Sequence, residues 1–167
     1  MDINQINEHL KKFDLFEEIA DDEEKLSKIA ASLDHRKIVA DEYIFKQGDH
    51  GEEFFILISG SVRVLKNTKQ LEEYTIVDLK SEGKVFFGEI ALLDNDVRSA
   101  SIKVLKDCEV LVLSQERFTD LGDQYPHIAL SIMRAIVKRV CGNLRNVNND
   151  VILLFDSLVS EIESTQL

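Results

Sequence analysis

Phe87-Gly88-Glu89-Ile90-Ala91-Leu92-Leu93, then Asp94-Asn95-Asp96-Val97, then Arg98-Ser99-Ala100, is the stretch that decides how the chain is read. Gly88 lets backbone approach a ligand closely. The residues after it start a short helix, whose exposed N–H groups and dipole make an anion site. A loop then delivers Arg98, a fixed cationic fork, and Ser99, a hydroxyl and a backbone N–H, towards the same point. One carboxylate, Glu89, is out of place in a site for phosphate alone. It fits if it accepts a hydrogen bond from a sugar hydroxyl beside the phosphate. The constellation suits a sugar phosphate carrying one negative charge.

Outward from this stretch, residues 35–114 show the signature of short strands. Phe54–Ile58, Ser61–Leu65, Tyr74–Leu79, Ala100–Leu105 and Val110–Leu113 are rich in Val, Ile and Phe. Turn signals at Gln47-Gly48-Asp49, Ser59-Gly60, Lys66-Asn67 and Glu82-Gly83 separate them, a pattern of sandwiches and barrels. Gly88–Leu93 reads as a single helical turn or two. Residues 1–34 read as helical, with Ile3, Ile6, Leu10, Phe13, Phe16 and Ile19 at helical spacing, then Leu26, Ile29, Ala30 and Leu33 on a second helix. The acidic run Asp21–Glu24 opens that second helix, at the positive end of its dipole. Residues 115–167 are helical again: Gln115–Leu121 is short, and Pro126 is a natural first residue for a long helix. Within that helix Val140, Leu144, Val147, Val151, Leu154 and Leu158 recur in steps of four and three, an a/d seam. A roll of this size leaves too little surface to cover that seam, so a homodimer is expected along it. Asn146-Val147-Asn148-Asn149-Asp150 marks a candidate interruption, because Asn and Asp compete for backbone hydrogen bonds.

The chain has 167 residues, with 31 acidic and 20 basic side chains and a formal net charge of −11. Such a surface repels nucleic acid and anionic membrane, so an anionic ligand needs a local cluster of donors. No apolar run approaches a membrane span, and the N-terminus lacks the basic start and apolar core of a secretory signal; the expected compartment is the cytoplasm. Cys108 and Cys141 lie far apart and read as buried or free thiols. His9, His35, His50 and His127 have no metal spacing, and Asp94 and Asp96 lack the glycine and distant glutamate of a calcium loop; no metal site is expected. Asp94-Asn95-Asp96 is expected to form a solvated turn.

The sequence resembles the cyclic nucleotide-binding domain family, which includes the bacterial catabolite activator protein and the regulatory subunits of protein kinase A. The segment from Phe87 to Leu93 followed by Arg98-Ser99-Ala100 is similar to that family's phosphate-binding cassette. Phe45-Lys46-Gln47-Gly48-Asp49, Phe54-Phe55-Ile56-Leu57 and Ser59-Gly60-Ser61-Val62 resemble its glycine-turn hairpin. The resemblance runs from about residue 13 to 145. It implies an α+β fold: an antiparallel, jelly-roll-like β-roll of about eight strands, flanked by N-terminal helices and a long C-terminal helix. It also implies that Glu89 accepts from the ribose 2′-hydroxyl, while Arg98 and Ser99 hold the phosphate. Gly88, Ile90, Ala91 and Ala100 complete the cassette. Ser after the arginine is similar to the catabolite activator type, which binds cAMP, although its hydroxyl does not exclude cGMP. Aligning Pro126 with the family's helix start brings Asn143 to the adenine edge, with Arg139 one turn earlier. The alternative is a Glu89–Arg98 salt bridge in a ligand-free dimeric scaffold.

Residues 152–167 are too few for a DNA-reading module, and no nucleophile elbow, metal dyad or P-loop accompanies the single carboxylate. The expectation is therefore no catalysis. The chain reads as a regulatory module that relays cyclic nucleotide through its C-terminal helices to an effector protein.

Overall fold

The computed structural model describes residues 1–68, 72–93 and 97–165; the expected turn at Asp94-Asn95-Asp96 lies outside them. The structure divides into two compact units, Met1–Ile132 and Met133–Leu167.

The first unit opens with helix α1, Ile3–Leu10, closed by a capping box in which Asp2 accepts from Gln5 and Gln5 from Asp2. The helical spacing that runs on to Ile19 belongs not to one α-helix but to α1 and a separate 3₁₀ segment, Asp14–Ile19. Helix α2, Glu23–Ala31, starts as its acidic run implies, with the Asp22 carboxylate accepting from Lys25 N–H.

Six strands then form one antiparallel sheet among the described residues: β1 Asp34–Ile38, β2 Tyr43–Phe45, β3 Glu53–Asn67, β4 Glu73–Lys80, β5 Phe86–Phe87 and β6 Ser101–Ser114. The path is β1-β6-β3-β4, with β2 also on β6 and β5 also on β3. Six replace the expected eight because two pairs of apolar segments fuse. Phe54–Ile58 and Ser61–Leu65 become one long strand, and Ala100–Leu105 and Val110–Leu113 another. Gly60 turns β3 at φ +86° without ending it, and the β3–β6 register shifts on both sides of Ser59–Ser61. A Cβ at Gly60 would meet the Asp107 carbonyl at 2.4 Å, so only glycine allows the strands so close at the bend.

Inside the roll Phe55, Leu57, Val62, Val85, Phe87, Ile102, Val104, Val110 and Val112 make the core. Phe54, Ile56, Leu111 and Leu113 on the opposite faces of the same strands are also buried. That double burial explains why these segments read as unbroken apolar runs rather than alternating ones. Leu10, Phe16, Leu26 and Ile29 add the buried faces of the N-terminal helical segments. Helix α3, Gln115–Gln124, capped by Ser114, follows the sheet, and the unit ends at Ile132, within the helix that comes next.

Helix α4 runs Pro126–Thr165 without a break, so the expected interruption at Asn146–Asp150 does not occur. A helix tolerates asparagines whose side chains stay in solvent, as those of Asn146, Asn148 and Asn149 do. In the second unit Leu144, Val147, Val151, Leu154 and Leu158 of the seam are each more than half exposed. Among the described residues no helix is long and apolar enough to cross a membrane.

Candidate functional site

Gly88 links β5 to the 3₁₀ turn Glu89–Leu92 in a left-handed conformation, φ +77°. That conformation favours glycine, and an added Cβ would lie 2.8 Å from Arg98 Nη1 and 3.0 Å from the Glu53 carbonyl, so a side chain there would also crowd the arginine. The turn has four residues, too short for a helix dipole; its contribution to an anion is individual N–H groups.

Arg98 is fixed from several directions. Its backbone N–H donates to the Asp49 carbonyl at 2.8 Å and its carbonyl accepts from Gly48 N–H at 2.9 Å. These bonds tie the cassette to the glycine turn that precedes β3. Its Nη2 donates to the Glu53 carbonyl at 2.8 Å, and its guanidinium carbon sits 4.1 Å from the Phe45 ring centroid. Phe45, Phe55 and Phe87 pack together beneath it, with Phe55 and Phe87 stacked at 5.5 Å. Gly51 leaves the slot for the side chain: a Cβ there would be 2.2 Å from Arg98 Nε.

The result is a cation only 7% exposed. Arg98 Nε has no hydrogen-bond partner among the described residues, and no carboxylate there forms an ion pair with the guanidinium. Burial pushes its pKa below the usual arginine value, against the opposing pull of Glu53 and Asp49, yet a guanidinium keeps its proton. A buried charge without a counter-ion is costly, and a bound anion offsets that cost. Glu89 is half-buried, and its carboxylate makes no hydrogen bond or ion pair with another described residue. The Glu89–Arg98 salt bridge of a ligand-free scaffold is therefore not present.

Gly88, Glu89, Ile90, Arg98, Ser99 and Ala100 line one cavity of about 160 Å³. Its other walls are apolar: Phe45, Val64, Phe87, Val97 and Ile102. Polar and apolar walls suit a ligand with a charged end and a flat, less polar end. Arg98 also lines a second cavity of about 520 Å³ with Asp49, His50, Glu52 and Glu53. Three carboxylates there repel an anion, so the first cavity is the one to which Arg98 can draw it. Ala91 lies within the 3₁₀ turn. Arg139 and Asn143 stand one turn apart on α4 in the second unit, and the cavity is lined wholly by first-unit residues. Phe45, Gly51 and Glu53 are the members that sequence reading missed. The motif Gln47-Gly48-Asp49 ahead of Gly51 signalled a turn, but not that the turn grips an arginine 50 residues away.

Residues 35–125 match the cyclic nucleotide-binding domain. The chain belongs to the cyclic nucleotide-binding domain family. Among its relatives is the cGMP-dependent protein kinase egl-4 of Caenorhabditis briggsae, 37% identical over 122 residues, which are 72% of this chain and 16% of the kinase. A cAMP-dependent protein kinase regulatory subunit of Emericella nidulans is 35% identical over 97 residues, covering 57% of this chain and 22% of that one. The chain thus spans less than a quarter of the length of either relative. The catabolite activator protein of Thermus thermophilus superposes with a TM-score of 0.73 at 28% identity, over 84% of this chain and 62% of that structure. The antiparallel roll with a long C-terminal helix agrees with the fold the resemblance implied.

Proposed function

We propose that this cyclic nucleotide-binding domain is a non-catalytic sensor that prefers cAMP and relays its occupancy to an effector protein. Glu89 holds the ribose hydroxyl, and Arg98 and Ser99 hold the phosphate. The observation that carries this reading is Arg98: a buried guanidinium, unneutralised among the described residues, in the wall of a cavity that also presents Glu89, Ser99 and the Gly88 turn. The helix seam from Val140 to Leu158 joins two copies. Relay follows if ligand binds one position of the C-terminal helix more tightly than another, since only differential affinity shifts a population.

A second reading, cGMP, is supported by the kinase relatives whose names carry that nucleotide, and Ser99 accommodates either. Melting curves of nucleotide-stripped protein with cAMP, cGMP or 5′-AMP separate the readings. A ligand at a hundred times its Kd stabilises by about 2.7 kcal/mol. cAMP is expected to raise Tm by several degrees, cGMP less, and 5′-AMP not at all. A larger shift with cGMP reverses the ligand assignment. No shift with either cyclic nucleotide makes the chain a ligand-free scaffold.

A further inference from the structure

The second unit is electrically polarised along its length. Residues 133–145 carry four cations, Arg134, Lys138, Arg139 and Arg145, and no acid. Residues 146–165 carry four acids, Asp150, Asp156, Glu161 and Glu163, and no cation. The apolar seam crosses both halves. Resting on the homodimer reading above, we propose that the second copy docks on α4 antiparallel, so that the cationic half of each helix lies along the acidic half of the other.

The seam itself permits this arrangement. About a two-fold axis at Asn149, Val140 falls opposite Leu158, Leu144 opposite Leu154, and Val147 opposite Val151. Every apolar position therefore meets an apolar one. Twelve such side chains from two copies, most of them over half exposed, bury on the order of 1,000 Å², which reaches the range of specific interfaces. A parallel pair buries the same residues, so apolar area does not choose between the two. Charge does. In a parallel pair like charges are neighbours throughout, and Glu161, which continues the seam after Leu158 at the next three-residue step, faces its own copy. In the antiparallel pair Glu161 falls opposite Val137, with Arg134 about one turn before it and Lys138 the next residue after it. The helix is continuous through Asn149, so the axis lies within regular structure.

Cys141 provides the test. It is exposed, whereas Cys108 is buried, so a nitroxide reagent attaches at Cys141, and Cys108→Ser removes any ambiguity. In the antiparallel dimer the two Cys141 positions are 16 residues apart along the axis, about 24 Å at 1.5 Å per residue. In the parallel dimer they lie side by side, separated by little more than the helix spacing of about 10 Å. Sedimentation first establishes the mass, and electron–electron distance measurement on the labelled full chain then gives the geometry. A dimer with a label distance above 20 Å, which dissociates more readily at high salt, supports the proposal. A dimer with a label distance near 10–15 Å, or one that tightens with salt, overturns the orientation but leaves the homodimer standing. A monomer at all concentrations overturns both. Arg145→Glu alone reverses a charge and leaves the seam intact, and it is expected to weaken the antiparallel dimer at low salt only.

Discussion

Val110-Leu111-Val112-Leu113 and Val151-Ile152-Leu153-Leu154-Phe155 are runs of nearly the same composition with opposite fates. The first is buried to 2% exposure or less on β6, where β1 and β3 supply partners on both sides. The second lies on α4 with every side chain 58–65% exposed. Apolar composition alone therefore does not say where a residue ends up. The roll closes on itself through pairings of distant segments, while the helix forms from local bonds and leaves this apolar run exposed.

Paired substitutions break or sharpen this contrast. Gly60→Ala drives a Cβ into the Asp107 carbonyl at a left-handed position and is expected to cost about 4 kcal/mol or more in urea unfolding. Gly142→Ala, with nothing within 4 Å of its added Cβ, is expected to stabilise its helix by up to about 1 kcal/mol. Next in size, Leu111→Ala leaves a cavity in a fully buried site and is expected to cost about 2–5 kcal/mol. Leu154→Ala is expected to leave the unfolding of the roll within about 0.5 kcal/mol of the parent while weakening self-association. Equal losses for the two leucines would mean that the second run is buried within its own chain.

The smallest expected effect is pH dependence in the N-terminal helices. Burial first, then Lys12, holds the His9 imidazole below its ordinary 6.5, with Glu109 pulling the other way and His35 adding to the lowering. The folded chain thus binds a proton at His9 less readily than the unfolded chain. That contribution is present above about pH 6.5 and is lost as pH falls below it. Urea midpoints from pH 7.5 to 5.5 should decline for the parent, and less for His9→Gln. An unchanged slope would assign the decline to other groups.

The strong local signals were legible in the sequence. Gly88, the turn after it, Arg98 and Ser99 come together as their spacing implies, because a short segment between fixed strands has little freedom to do otherwise. Pro126 begins the long helix, and Asp22 caps α2. What failed depends on contacts between distant residues. The bend at Gly60 read as a strand end, since nothing local shows that β6 follows the same bend. The asparagines of α4 read as a break because Asn and Asp side chains compete for backbone bonds, a competition that the long helix on either side overrides. Phe45, Gly51 and Glu53 were invisible as site residues: a ring face, a missing Cβ and a backbone carbonyl carry no signature until the fold aims Arg98 at them.

Arg98 as the anion-binding charge is the claim most open to direct attack. Calorimetric titration of cAMP and cGMP into exhaustively dialysed parent protein and into Arg98→Ala measures it. The parent is expected to bind one cyclic nucleotide per chain, and the variant about a hundredfold more weakly or not at all, since losing one member of a desolvated charge pair costs a few kcal/mol. The variant is expected to remain as stable as the parent, because an unneutralised buried charge has been removed. Equal affinity in the two proteins, or no heat with the stripped parent, would contradict the account.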